Sequence, residues 1–254
     1  MSFRIVLVSQ NEAGFLPEAI DHFIRRLPNK AKVVSAVVLD PSPFGKKLTG
    51  REKAHLAISI FGFKFVILYA LRAIRNLLFQ KSVIAVFREH QVPVIFLREN
   101  INSESSISLI EKEDPDLIIS ISANQIFKTN LINLARYGVL NVHSSLLPKY
   151  RGLLPSFWVL RNGETESGVS VFFVNEGIDS GPILVQERLQ IKGLSQSELI
   201  AKTKLLGMEA LVVAVKKVIA NQLETMPNDD SESSYYHFPT RADVQAFYRA
   251  GGRF

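Results

Sequence analysis

Short apolar runs recur along the chain and predict the strands of a β-sheet. They are rich in Val, Ile and Leu, and polar loops or segments with apolar residues every three or four positions separate them. Strand, helix and strand in this order are typical of a right-handed parallel βαβ unit. The seven predicted strands cover residues 3–9, 33–39, 93–97, 116–121, 138–140, 168–174 and 183–191.

The segments between these strands carry helical spacing, so the sequence predicts an α/β fold: a Rossmann-like, mostly parallel sheet with helices on both faces. A long amphipathic helix follows the last strand, and Ser195 with Glu198 forms a candidate capping box at its start. We expect one domain over residues 1–191, with a helical insertion at about 46–81, and a C-terminal helix and tail over residues 192–254. The other predicted helices cover residues 15–27, 81–91, 103–112, 130–136 and 155–160.

Most of the net positive charge lies in residues 46–81. This segment holds eight Lys and Arg against one acid, which is +7, whereas the rest of the chain holds 22 basic and 23 acidic residues, which is −1. Its apolar part, residues 54–79, is too interrupted for a membrane span. Three cations of the basic segment recur every eleven residues and would share one face of a helix: Lys53, Lys64 and Arg75.

Three roles fit such a helix. It could cover its own domain with the cations in water, pack on a partner, or lie on a membrane surface. We favour the first role, and membrane contact through residues 54–79 is the less favoured alternative. Gly62 weakens a continuous helix in each case.

Composition and spacing exclude several kinds of site. The chain has no cysteine, which rules out disulfides, thiolate metal sites and a cysteine nucleophile. The first turn, residues 9–14, lacks both G-x-G-x-x-G and the Walker pattern, so a dinucleotide or P-loop site has little support. The N-terminal residues do not resemble a secretory signal, and we expect a cytoplasmic protein. No bound metal is expected, because the five histidines are scattered: His22, His55, His90, His143 and His237.

Polar residues follow three of the predicted strands and predict a shared site. Asn141 and His143 are two positions apart, so in an extended segment their side chains point the same way. Polar loops at residues 122–125 and 175–179 follow two other strands, and the second loop carries Asp179. If the three strands are neighbours, the loops meet at one edge of the sheet. Asn and His can then stabilise an oxyanion while Asp orients the imidazole, which suits transfer of an acyl-level carbon.

A Ser-His-Asp nucleophile is the weaker hypothesis for the same residues. Ser144 adjoins His143 in sequence, and the chain has no G-x-S-x-G elbow. The residues alone therefore favour acyl transfer without a serine nucleophile.

Two runs together resemble the folate-dependent formyltransferase family: N-V-H-S-S-L-L-P-K-Y-R-G at residues 141–152 and G-V-S-V-F-F-V-N-E-G-I-D-S-G-P-I-L at residues 168–184. The resemblance implies the formyltransferase fold and transfer of a formyl group from 10-formyltetrahydrofolate to a primary amine, without a metal. It also implies that Asn141 and His143 bind the formyl oxygen. Asp179 would hold His143 and, through water, assist proton removal from the amine.

The resemblance further implies which residues bind the two substrates. The pterin would be held largely by backbone groups of two loops, and the acceptor by residues that follow His143. The expected folate-binding residues are Asn124, Gln125, Ile126, Phe127, Asn175, Glu176 and Gly177, and the expected acceptor-binding residues are Ser144, Tyr150, Arg151 and Gly152.

The acceptor itself is open. The run K-Y-R-G-L-L-P-S-F-W at residues 149–158 resembles both methionyl-tRNA formyltransferases and nucleotide-sugar N-formyltransferases. About sixty residues follow the last predicted strand, which we expect to be too few for the linking helix plus the C-terminal domain of the tRNA enzymes. Trp158 is more like the sugar enzymes. The first turn does not resemble the phosphate loop of glycinamide ribonucleotide formyltransferases. The basic segment 46–81, in contrast, would suit tRNA phosphates.

We therefore expect a small-molecule or nucleotide-linked amino-sugar acceptor, with methionyl-tRNA as the alternative partner. Two further hypotheses stay open. The same three residues could serve a hydrolase that releases formate from 10-formyltetrahydrofolate. The chain could also be a non-catalytic protein that binds a membrane or a partner through residues 54–79.

Overall fold

The protein, as a computed structural model, is described over residues 2–12, 14–40, 49–79 and 81–254, and residues 64 and 77–79 are described by their backbone only. The strands in this part of the chain are β1 (Phe3–Gln10), β2 (Ala31–Leu39), β3 (Val94–Ile95), β4 (Leu117–Ile121), β5 (Val139–His143), β6 (Arg151–Gly152), β7 (Glu166–Phe173), β8 (Ile183–Gln190) and β9 (Tyr235–Tyr236). The α-helices are α1 (Phe15–Arg26), α2 (Gly50–Phe61), α3 (Phe63–Phe79), α4 (Val83–Glu89), α5 (Glu104–Glu111), α6 (Thr129–Ile132), α7 (Pro155–Arg161), α8 (Gln196–Ile219) and α9 (Arg241–Arg249).

Seven of these strands form one sheet, in the order β3-β2-β1-β4-β5-β7-β8. The strands from β3 to β5 are parallel, whereas β7 runs antiparallel to β5 and β8 antiparallel to β7. Open sheets of this kind bind ligands beyond the carboxyl ends of their parallel strands, where the strand order reverses. In this sheet the reversal lies between β1 and β4, next to β5.

Helices cover both faces of the sheet. One apolar cluster packs α1, α4 and α8 against one face, and a second packs α5 and α6 against the other. All five residues of β4 are buried, as expected for a central strand that is covered on both sides. The arrangement confirms the predicted α/β fold.

The apolar segment predicted as one helix at residues 54–79 forms two helices, α2 and α3. Gly62 lies between them with a φ of 87°, a left-handed conformation that favours glycine and ends α2. A capping box of Thr49 and Glu52 begins α2. No helix among the described residues is long and apolar enough to cross a membrane. Lys46 and Lys47, which we counted in the basic segment, lie outside the described residues.

The long C-terminal helix α8 packs directly on the sheet. The predicted capping box is present, because the Ser195 side chain accepts from the Glu198 N–H while Glu198 accepts from the Ser195 N–H. Gly207 allows a close approach, since a Cβ there would lie 2.9 Å from a methyl carbon of Val142 in β5. The predicted domain boundary at residue 191 falls just after β8, between the sheet and this helix.

The tail after α8 contains a strand that the sequence did not predict. Tyr235 and Tyr236 form β9, which pairs in parallel with β6 in a separate two-stranded sheet. The following helix α9 packs against α7 through Phe247 and Phe157, whose ring centroids are 5.0 Å apart. The tail is therefore bound to the stretch that follows His143.

Candidate active site

Strand β5 holds Asn141 and His143 inside the sheet, because it ends at His143, three residues beyond the strand end that we predicted. Asn141 pairs with Ser120 of β4 and with Phe172 of β7, and His143 pairs with Ser170. Leu140 and Val142 point to the face that α8 covers. Because successive side chains alternate, Asn141 and His143 share the opposite face, as expected from their spacing.

The buried imidazole of His143 is held on both sides. Its Nε2 lies 2.7 Å from the carbonyl oxygen of Tyr150, and its Nδ1 lies 3.5 Å from Oδ2 of Asp179. A carbonyl oxygen only accepts hydrogen bonds, so Nε2 carries a proton. Nδ1 is consequently the nitrogen that faces the carboxylate and can exchange a proton.

Asp179 reaches His143 by a different path from the one we expected. Since β7 is antiparallel to β5, its carboxyl end pairs near the start of β5, and our expectation that the loops leave one common edge was wrong for this loop. The loop instead folds back toward His143. Asp179 adopts a φ of 49°, a left-handed conformation that Asp tolerates better than most residues.

One oxygen of the Asp179 carboxylate is fixed and the other is free. Oδ2 accepts a hydrogen bond of 2.9 Å from the backbone N–H of Gly152, in addition to facing His143. Oδ1 has no hydrogen-bond partner among the described residues, and 13% of the Asp179 side chain is exposed. The carboxylate is thus oriented by one oxygen and available for proton transfer at the other.

The tail fixes the loop that carries Asp179. The Asn228 side chain donates to the carbonyl oxygens of Asp179 at 2.9 Å and Gly181 at 2.8 Å. The buried Arg151 in turn donates to Asn228 at 2.8 Å and pairs with Asp230 at 2.6 Å. We did not predict these contacts, because residues 228–231 carry only a polar, irregular pattern.

Two of the expected acceptor-binding residues turn their side chains into this support. The Tyr150 hydroxyl donates to Glu164 at 2.6 Å, and its ring stacks on Tyr236 at 5.2 Å. Burial, followed by the hydrogen bond to Glu164, raises the pKa of Tyr150, so the phenol stays protonated. Arg151 points to the tail, as described above. Ser144 is half-buried beside His143, and Gly152 contributes its N–H to Asp179.

The expected folate-binding loops meet each other. Thr129, just after the first loop, donates to Glu176 in the second. Asn124 donates to the Asp40 carbonyl at 2.7 Å, but its side-chain oxygen is buried and has no hydrogen-bond partner among the described residues. Gln125 accepts from the Ile101 N–H at 2.9 Å, and Phe127 is buried in the core while Ile126 is exposed.

Backbone groups of the first loop remain available to a ligand. The N–H groups of residues 124–126 make no hydrogen bond to another described residue. In the second loop, Asn175 accepts from the Gly177 N–H at 3.1 Å and from Ser180 at 2.8 Å, which fixes the turn. Unpaired N–H groups beside the unpartnered Asn124 oxygen suit a heterocycle with an amide edge.

The segment after His143 is braced by the antiparallel strands. The Ser170 hydroxyl accepts from the Leu147 N–H at 3.0 Å and donates to the Ser145 carbonyl at 2.8 Å. Gln186 of β8 donates to the Leu147 carbonyl at 2.9 Å. Because this segment also supplies the Tyr150 carbonyl, the same bonds fix the orientation of His143.

The arrangement has the parts for acyl transfer. The half-buried Asn141 amide makes no hydrogen bond to another described side chain or backbone group, so its N–H donors are free for a ligand oxygen. A protonated Nδ1 on His143 supplies a second donor, and Asp179 supplies an acceptor for a proton. Among the described residues, no group of three or more His, Asp or Glu is placed to hold a metal ion.

The chain is similar to known proteins along most of its length. Residues 5–215 match the formyl transferase family. A methionyl-tRNA formyltransferase from Kosmotoga olearia is 36% identical over 160 residues, which are 63% of this chain and 51% of that protein. The chain spans about half the length of the curated relatives it matches.

Solved structures share the fold at low sequence identity. A phosphoribosylglycinamide formyltransferase from Anaplasma phagocytophilum has a TM-score of 0.64 and 13% identity, with 93% of this chain and 100% of that chain covered. An N-formyltransferase from Helicobacter canadensis, in complex with folinic acid and dTDP-3-aminofucose, has a TM-score of 0.60 and 19% identity, with 96% and 79% covered. At these identities the likeness establishes the fold alone.

Proposed function

Because the chain belongs to the formyl transferase family, we propose that it transfers a formyl group from 10-formyltetrahydrofolate to a primary amine. One observation carries the proposal. His143 is buried between the Tyr150 carbonyl and Asp179, on the same strand face as the Asn141 amide, which bonds to no residue in the described part of the chain. This geometry supports two donors for a developing oxyanion and one carboxylate for the proton of the amine.

The reaction follows from these positions. The amine nitrogen attacks the formyl carbon, a C–N bond forms, and the carbonyl electron pair moves to the oxygen. Asn141 and the protonated Nδ1 of His143 donate to that oxyanion. Asp179 accepts, through a water, the proton that the attacking nitrogen loses. The tetrahedral intermediate then collapses with cleavage of the bond to N10 of the folate.

In the proposed reaction, His143 and Asp179 must also return to their starting protonation states after each turnover. N10 of the departing tetrahydrofolate takes the proton from Nδ1 of His143, which leaves a neutral imidazole beside a protonated Asp179. The two groups are 3.5 Å apart, so the carboxylic acid can return its proton to Nδ1. One turnover therefore restores both groups without an external acid or base.

The two loops near β4 and β7 fit the folate. The N–H groups of residues 124–126 and the buried oxygen of Asn124 supply donors and an acceptor for the amide edge of a pterin. Residues 175–177 lie in the adjoining loop, and the Thr129–Glu176 bond joins the two loops. We assign the folate-binding role to these residues, with the contacts made largely by backbone.

The acceptor that we propose is a nucleotide-linked amino sugar or a similar small amine. Trp158, which follows the R-G-x-x-P run, stacks on Tyr236 at 4.6 Å and donates to the His237 carbonyl at 3.2 Å. The wall beside Asp179 is thus built by the tail of this same chain. A compact wall of this kind suits an acceptor that is small enough to enter beside it.

Methionyl-tRNA is the second candidate acceptor. The Kosmotoga olearia relative is named a methionyl-tRNA formyltransferase. Residues 46–81 also carry a charge of +7, which suits contacts with phosphates.

An acceptor screen with 10-formyltetrahydrofolate tests the proposal and separates these candidates. We expect formylated product with a thymidine-diphosphate amino sugar and none with methionyl-tRNA. Product with methionyl-tRNA alone would show that the acceptor is the tRNA and not an amino sugar. Formate released at the same rate without any amine would identify a hydrolase, and no consumption of the folate under any condition would refute formyl transfer.

A further inference from the structure

Helix α3 exposes its apolar residues, in contrast to an ordinary surface helix, which turns them to the core. Phe63, Ile67, Leu71 and Ile74 are three or four positions apart and share one face, and 65%, 44%, 60% and 55% of their surfaces are exposed. The neighbouring Leu68 is 68% exposed. The opposite side of the helix, which carries the buried Asn76, faces the protein.

Exposed cations lie between this apolar row and the side of the helix that carries Asn76. Arg51 on α2 and Arg72 and Arg75 on α3 are exposed, and none of them forms an ion pair with a described residue. Helix α3 contains no acid, and the carboxylate of Glu52 is engaged in the capping box of α2. These three arginines are therefore not neutralised by an ion pair among the described residues, whereas Lys81 of the same segment pairs with Glu89 at 2.7 Å.

The helix lies near the ligand-binding edge of the sheet. Asn76 contacts the turn after β1, where a Cβ on Gly14 would lie 3.4 Å from the Asn76 side-chain nitrogen. The carboxyl end of β1 is at the same edge as the ends of β4 and β5. Helix α3 thus lies at the sheet edge where β1, β4 and β5 end.

We infer that the exposed residues of α2 and α3, here called the α2–α3 surface, dock in the plane of an anionic lipid membrane. The apolar row can enter the boundary between head groups and acyl chains, while the arginines meet anionic head groups. A helix of 17 residues can lie along such a boundary without crossing it. This docking depends on the α2–α3 surface alone and is independent of the acceptor.

Other occupants fit the surface less well. A two-fold pairing would bring together two surfaces that both carry positive charge, and like charges oppose such a contact. A nucleic acid would satisfy the arginines but leave the row from Phe63 to Ile74 in water. An anionic membrane satisfies both the charges and the apolar side chains.

Co-sedimentation of the full chain with lipid vesicles tests this inference. We expect binding to phosphatidylcholine vesicles that contain phosphatidylglycerol, weaker binding to phosphatidylcholine alone, and a loss of the difference at high salt. The double substitution Ile67→Ser/Leu71→Ser should weaken binding about tenfold or more. Replacing Arg72 and Arg75 by Gln should remove the preference for the anionic lipid.

Exposed leucines elsewhere provide the matched control. Leu109 on α5 and Leu205 on α8 are 40% and 46% exposed, so Leu109→Ser/Leu205→Ser should leave vesicle binding unchanged. Absence of sedimentation with either vesicle, or equal binding by both double variants, would overturn the inference. The inference would also be overturned if the protein self-associates in solution and Ile67→Ser/Leu71→Ser abolishes this association. A second copy would then be the occupant of the α2–α3 surface. Formyl transfer to a soluble acceptor should persist in Ile67→Ser/Leu71→Ser, which separates this outcome from a failure of the proposed function.

Discussion

Gly152 joins the tail to the proton acceptor of the site. Its N–H donates to Asp179, its φ is 92°, and a Cβ at this position would overlap the carbonyl oxygen of Tyr236 and approach the Tyr235 ring to 2.9 Å. A side chain here therefore meets both a backbone conformation that disfavours it and a lack of space. The neighbouring support, from Asn228 to Asp179, depends on the same approach of the tail.

The substitution Gly152→Ala should lower both stability and turnover. Gly163→Ala is the matched control, because Gly163 has a φ of 74° but nothing lies within 4 Å of the place that an added methyl group would take. We expect Gly163→Ala to cost about 1 kcal/mol of unfolding free energy through the left-handed backbone alone, and to retain activity. Gly152→Ala should cost more and reduce kcat, as measured by chemical denaturation and steady-state kinetics. Equal losses in the two variants would contradict the packing described here.

At the scale of residues, sequence predicted the pair on β5 better than its surroundings. Asn141 and His143 share a face because strand periodicity is local, and their spacing alone sufficed. Asp179 was expected from its place in the polar loop after a predicted strand, and the family resemblance added its role in proton removal. The contact of Arg151 with Asn228, in contrast, spans 77 positions. No local pattern encodes such a contact. The same holds for Tyr150, whose hydroxyl partner Glu164 became apparent only in the folded chain.

The elements were predictable where local periodicity or capping determines them. Ser195 begins α8 as the sequence indicated, and the apolar run of β4 is a buried strand. The direction of β7 was not predictable, because alternation along a strand carries no information about the direction of its partner. The pairing of β9 with β6 was missed for a related reason, since two residues in a polar tail carry too little periodicity.

The capping box of α8 should stabilise the helix that supports β5. Ser195→Ala removes the side-chain acceptor of the Glu198 N–H and should cost about 1 kcal/mol of unfolding free energy, measured by urea denaturation. Ser108→Ala changes an exposed serine inside α5 and should cost little. An unchanged unfolding free energy in Ser195→Ala would show that the cap does not contribute.

The capping box of Ser195 and Glu198 also makes the stability of the fold depend on pH. The hydrogen bond from the Ser195 N–H, followed by the one from its hydroxyl, lowers the pKa of Glu198 below its ordinary value. A carboxylate with a lowered pKa stabilises the fold above its ordinary pKa, and this contribution disappears as the pH falls through the lowered value. The difference in unfolding free energy between the unsubstituted protein and Glu198→Gln should therefore become smaller as the pH falls through the lowered pKa of Glu198.

Across the whole molecule, local sequence patterns predict the sheet but not the contacts that form the candidate site. Strand β5 and the loop after β7 belong to the main sheet and its connections. The side chain that bonds the Asp179 loop belongs to the tail, and an aromatic cluster around Phe157 and Phe247 packs the tail against α7. The site therefore depends on contacts between segments that are distant in sequence. Sequence predicted the sheet and the family, but not the closure of the site by the tail.

His143, oriented by Asp179 and the Tyr150 carbonyl, is the residue on which the proposed formyl transfer depends most. The chain contains a second histidine-carboxylate pair for comparison, since His90 lies 2.7 Å from Asp21 on the surface between α1 and α4. His143→Ala and His90→Ala each remove one imidazole, but only His143 lies in the candidate site.

The decisive measurement is the rate of tetrahydrofolate formation from 10-formyltetrahydrofolate with the amine that the acceptor screen identifies. His143→Ala should lower kcat by about a hundredfold or more, while His90→Ala stays near the unsubstituted rate and circular dichroism shows that both variants are folded. Turnover in folded His143→Ala that matches His90→Ala would contradict this role of His143.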